Sequence, residues 1–144
     1  MIAELQTALI ELFEAAHAET AYPKQIKPYG GEMKNECRNV NHLPSLYVDV
    51  VTAGRITADD IEGLLVTGEL RPEIILFDEN KARGRARFGT LASGIDWVLN
   101  ALKGQVVTVN DVPLAVGQDI QFRAIPDFFK PVAIITPTLT LMED

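Results

Sequence analysis

Ile2, Leu5, Leu9, Leu12, Phe13 and Ala16 recur at offsets of three, four and seven, while Glu4, Gln6, Glu11, Glu14 and Glu19 lie on or near the other side. A repeat of 3.6 residues gathers the apolar set into one stripe, so the spacing predicts an amphipathic helix from about Ile2 to Glu19. It should stop before Tyr22-Pro23, because the residue ahead of a proline avoids helical angles. The stripe needs a cover, supplied either by the protein's own sheet or by a neighbouring subunit.

From residue 20 to residue 44 the pattern breaks. Pro23, Pro28, Gly30, Gly31, Asn35, Asn39, Asn41 and Pro44 punctuate a polar stretch, which predicts a long loop holding a short extended piece around Gln25-Ile26-Lys27. Loops of this length are uncommon in compact domains unless they bind something or are disordered. Leu46 to Val51 alternates and is rich in β-formers, the pattern of a strand. Thr57 to Glu62 reads as a capped helical turn, and Gly68 and Pro72 bracket the return to the sheet.

Glu73 to Phe77 predicts a buried strand with an acidic end at Asp78-Glu79. Thr90 is placed to cap a second helix with apolar positions Leu91, Ile95, Val98, Leu99 and Leu102, and Gly104 supplies its stop. Trp97 lies off the centre of that stripe, at the edge of the core. The remainder is nearly all strand: 105–109 and 112–116 around the tight turn Asn110-Asp111, then 119–125, 132–136 and 138–141. Pro113 cannot donate to a ladder, which predicts an edge or a bulge for its run. Ile120, Phe122 and Ala124 fall on one face of their strand and Gln121, Arg123 and Ile125 on the other. Helix, two strands, helix, then a run of strands joined by short links is the order of an α+β domain, with a mainly antiparallel mixed sheet and both helices packed on it.

Composition narrows the reading. A chain of 144 residues, 47% hydrophobic and 23% charged, fits a single domain over 1–144 with one proper core. The net charge of −7 argues against a dedicated duplex-binding protein. The lone thiol Cys37 forms no intrachain disulfide and has no nearby histidine to activate it. The first residues show neither a basic region nor an unbroken apolar run, and no segment is apolar enough to span a bilayer, so a cytosolic place of synthesis without membrane contact is expected.

Within this acidic chain, Lys81, Arg83, Arg85 and Arg87 occupy every second position, separated by Ala82, Gly84 and Ala86. Extended, the four cations share one face and the small residues the other. Such a strip either docks on something negative or is a solvated loop kept for solubility. Acidic counterparts are present at Asp59, Asp60, Glu62, Asp78, Glu79, Glu143 and Asp144, and a head-to-tail contact that matches strip to acids closes into a ring. With the arginines turned to a central channel, such a ring would touch passing DNA phosphates transiently.

The search for chemistry predicts no catalytic residue, no cofactor and no metal. His17 and His42 lack partners at ligand spacing. Asp59-Asp60-Glu62 and Asp78-Glu79 do not resemble a calcium loop and read as solvated acids. Gly84 to Gly89 lacks the lysine-hydroxyl ending of a phosphate loop.

The opening Met1 to Ile10, the strand Pro44 to Val48 and the strip-then-helix Arg83 to Thr90 together resemble Mu-like phage and prophage tail terminator proteins. The resemblance is spread over most of the chain. It implies a non-enzymatic virion protein, made in the host cytoplasm, that forms a homohexameric ring on the tail tube. Such a ring stops tube polymerisation, offers a surface to the head-side connector and, in contractile tails, engages the last sheath layer. It further implies a subunit or tube contact for Lys81, Arg83, Arg85 and Arg87. Cys37 and the length of the 20–44 loop match no family pattern. Two alternatives stay open: another neck or tail completion protein, and a small cytosolic ligand-binding or regulatory domain.

Overall fold

A computed structural model describes residues 2–35, 40, 42–50, 69–79, 89–125 and 130–141. The turn at 57–62, Cys37 and the strip at 81–87 lie outside the described residues.

The apolar stripe of the first segment forms helix α1, Ile2–Thr20, whose Leu5, Leu9 and Phe13 are buried. The chain leaves it through Ala21, at φ 59°, with the Ala21 N–H donating to the His17 carbonyl. It then runs as β1, Gln25–Pro28, a 3-10 turn at Glu32–Asn35 and β2, Ser45–Asp49. Next come β3, Glu69–Leu70, and β4, Glu73–Phe77. Helix α2, Gly89–Leu102, is followed by β5, Val106–Val109, β6, Val112–Val116, β7, Gln121–Ile125, β8, Val132–Thr136, and β9, Leu139–Leu141. The domain is α+β, with mostly antiparallel strands.

The strands divide between two sheets, ordered β1-β2-β4-β8-β7 and β3-β9-β6-β5. Only β1 and β2 run parallel among the described pairs, in register Gln25 to Ser45. The chain passes from one sheet to the other at three short corners: Arg71-Pro72 between β3 and β4, residues 117–120 between β6 and β7, and Pro137-Thr138 between β8 and β9. Proline at two of these corners, where no ladder donor is required, explains why the strands break there. The Gly117 N–H donates to the Thr138 carbonyl at 2.8 Å and ties two of the corners together.

Alternation along the central strands sorts their side chains between two cores. Leu46, Val48, Ile74, Leu76, Ala133 and Ile135 face both helices and the second sheet, in one cluster with Leu5, Leu9, Phe13, Leu91, Val98 and Leu102. Tyr47, Ile75, Phe77, Val132 and Ile134 form a second cluster on the other face. Tyr29, Met33, Val40 and Leu43 pack over it, so the segment read as a loop supplies the cover for the back of the sheet.

Two expectations are corrected. Strand β6 is internal, not an edge: it lies between β5 and β9. Pro113 lies opposite Thr108 of β5, and among the described residues the register with β9 begins at Leu114. Thr90 does not precede α2 as a cap, since the helix already includes Gly89. Gly104 ends the helix as expected, at φ +69°, where an L side chain would be strained.

Candidate interaction surfaces

The four strip cations Lys81, Arg83, Arg85 and Arg87 lie outside the described residues, as do Asp59, Asp60, Glu62, Glu143 and Asp144. In the chain the strip links the end of β4 to the start of α2. Of the acids near it, Asp78 is buried, at 4% exposure, rather than solvated as its sequence context implies. One carboxylate oxygen accepts the Glu79 N–H at 2.8 Å, and the other is buried with no hydrogen-bond partner among the described residues. Glu79 is part-exposed and lies 3.7 Å from the Lys24 ammonium.

Above this acid the end of α1 meets α2. Tyr22 packs edge-on against Trp97 at 5.3 Å between ring centroids, and Phe13 stacks on the same indole at 6.1 Å. The Trp97 Nε1–H donates to the Thr20 hydroxyl at 2.9 Å, so Trp97 is the core-edge residue its position off the stripe predicts. Burial, and then the Asp78 charge, push the Tyr22 phenol far above its ordinary value. Burial, then the Glu32 charge, also raises the Tyr47 phenol, against a Ser45 hydrogen bond that lowers it. These are packing groups held neutral by a dry setting.

His17 is half-buried near the end of α1, its Nδ1 without a partner, and His42 is exposed at φ 57°. Among the described residues no group of three or more His, Cys, Asp and Glu stands together as a metal site. Among them, too, no helix is long and apolar enough to cross a membrane.

What the geometry does offer is sheet edges. In the first sheet β1 and β7 are outermost, and in the second β3 and β5. An unpaired edge is a template for another chain unless charge or proline blocks it. Strand β1 presents Lys27 and Pro28, both exposed. Strand β3 is only two residues long. Strand β7 is exposed on both faces from Gln121 to Ala124, and Phe122 keeps 56% of its surface in water. Its alternation is visible in the sequence; that neither face would be covered is not, because nothing local says that the helices pack elsewhere.

Strand β5, Val-Val-Thr-Val, carries neither charge nor proline. Val107 and Val109 point into the core, while Val106 stays 43% exposed. Its outer edge, unpaired among the described residues, runs beside α1, and the space between them is a groove in two adjoining parts of about 570 and 440 Å³. Ala8, Glu11 and Thr108 line both parts. Ala15, Ala16 and Ala101 give it a small-residue floor, with Glu19 at one end and Glu4 at the other. Sequence reasoning placed these glutamates on the polar side of α1 but had no means of pairing that side with an edge strand a hundred residues away.

No family model matches the chain, and no curated protein matches it.

Proposed function

We propose that this chain is a structural phage protein of the tail terminator type: a ring of six copies that caps the tail tube and presents a surface to the head-side connector. The observation that supports it is the pair of unlike sheet edges, β5 and β7, left unpaired among the described residues of one small domain. A capping ring needs surfaces for neighbouring subunits and a further one for the tube. An uncovered Phe122 on an edge strand is the kind of feature a partner covers. On this reading Lys81, Arg83, Arg85 and Arg87 serve a subunit contact, β7 faces the tube or the connector, and the protein resides in the virion tail.

Native mass spectrometry over a range of concentrations, with and without assembled tail tubes, tests the reading. A six-subunit species is expected, seen by electron microscopy as a cap on tube ends. A chain that never exceeds a dimer, even with tubes present, would overturn it.

A further inference from the structure

We propose that β7 is a tongue that seats in a cleft at the end of the tail tube, between one apolar wall and one acidic wall. The inference rests on the capping reading for the identity of its partner, while the shape and charge of the tongue are those of the strand itself.

The first observation is a step in burial. Strand β8 is covered on both faces from Val132 to Ile135, whereas its neighbour β7 is exposed on both faces from Gln121 to Ala124. The layers packed on the sheet therefore stop at β8, and the middle of β7 stands out beyond them. Only Ile120, just ahead of the strand, and Ile125 at its end pack partly on the two cores.

The second observation is the pair of side chains left out by that step. Phe122 lies opposite Ile135 and Arg123 opposite Ile134. Alternation thus puts the ring on the helix side of the sheet and the guanidinium on the side of the second core. Aromatic rings and arginines are the side chains that carry binding energy once a partner covers them. Because these two project from opposite faces, a flat surface reaches one or the other. A partner that covers both has to close on the strand from two sides.

The third observation is charge. Arg123 is the one charged residue of β7 and makes no ion pair among the described residues. Its cross-strand neighbours Val132, Ile134 and Thr136 are neutral, and Asp119 lies outside the strand, at the corner ahead of it. In a chain of net charge −7, β7 is a locally positive spot beside a bare ring. An acidic wall complements it, and a basic wall would repel it. Phe122 and Ala124, on the other face, call for an apolar wall. A growing tube has such a receptacle to offer. A polymer that adds identical subunits head to tail carries an unfilled joining surface at its end, and a cap that fills it stops growth.

Co-sedimentation of the full chain with assembled tail tubes tests this. Phe122→Ser and Arg123→Glu should each raise the dissociation constant from the tube about tenfold or more, while Arg123→Lys should keep most of the affinity. Both positions are exposed, and unchanged urea midpoints will show that the variants fold. Hydrogen exchange supplies the second readout, since amides of β7 should gain protection on the tube. Loss of binding with Phe122→Ser but not with Arg123→Glu would reduce β7 to a one-sided apolar patch and overturn the cleft. Tube binding that ignores both variants, with β7 unprotected, would overturn the docking and leave the capping reading standing. Binding to the head-side connector alone, sensitive to both variants, would overturn the tube as owner of the cleft. A wild-type chain that binds neither would overturn the capping reading and the docking together.

Discussion

Gly94 stands in the middle of α2, where helix propensity favours alanine by ~1 kcal/mol. Propensity loses here, because an added Cβ would run into the Tyr22 hydroxyl and a Leu76 methyl. Neither can retreat: the Tyr22 ring is held against Trp97, and Leu76 is fully buried. Overpacking of this kind costs about 1–3 kcal/mol, so Gly94→Ala should destabilise the protein in urea unfolding, and adding Tyr22→Phe should recover part of the loss. Tyr22 makes a second prediction. Its folded phenol titrates well above the ordinary 10.0. Past that value the unfolded chain releases a proton that the folded chain keeps, so the stability this group contributes is intact below pH 10 and falls as pH rises above it. Unfolding free energies measured from pH 8 to 11 should drop at the alkaline end, and Tyr22→Phe should lessen the drop. At neutral pH the same change should cost little, since the hydroxyl is buried without a hydrogen-bond partner among the described residues.

At the scale of elements, turn chemistry decides the β5–β6 hairpin. Asn110 and Asp111 have φ of 50° and 65°, the two left-handed residues of a tight hairpin turn in which Asn-Gly is preferred. Asp111→Gly removes the strain of an L residue at that angle and should raise stability by about 0.5–1 kcal/mol. Calorimetry should then show a Tm higher by roughly 2–4 °C. This hairpin, both helices and the central strands were legible in the sequence because their signals are local: a repeat of 3.6, an alternation of two, a pair of turn residues. The position of β6 was not, because proline marks the lack of a ladder donor at one residue and not the place of its strand in the sheet. Nor was the split into two sheets, which depends on corners of two to four residues. The 20–44 stretch shows the same limit from the other side. Its prolines and glycines announce irregular backbone correctly, yet Tyr29, Met33, Val40 and Leu43 pack on the back of the sheet, a destination no local pattern encodes. The groove beside β5 has the same character, because its two walls are far apart in the chain.

For the whole molecule the question is which surfaces are spare once the core has been built. Both faces of the central strands are buried, with α1 and α2 covering one side and Tyr29, Met33, Val40 and Leu43 packed on the other, so among the described residues growth of the structure by another chain is left to the edges. On the ring reading Lys81, Arg83, Arg85 and Arg87 serve a subunit contact, and contacts between exposed charges are screened over ~8 Å at physiological ionic strength. Assembly should therefore weaken as salt is raised, which sedimentation at two salt concentrations will show. Strand β7 differs: its notable residue is apolar, and Phe122 lies on an edge with few contacts to lose. Phe122→Ser should leave the unfolding free energy of the isolated chain within ~0.5 kcal/mol, the range of ordinary surface changes. On the ring reading it should also leave a six-subunit species in place, while reducing co-sedimentation with tail tubes. A loss of stability above ~2 kcal/mol would mean that Phe122 belongs to the core. A fully retained tube interaction would mean that β7 is bare surface, and the search for the tube-facing side would move to the ends of the sheets. On the same reading Arg83→Glu with Arg85→Glu should do the reverse and disperse the six-subunit species, so the two variants read together separate ring formation from capping.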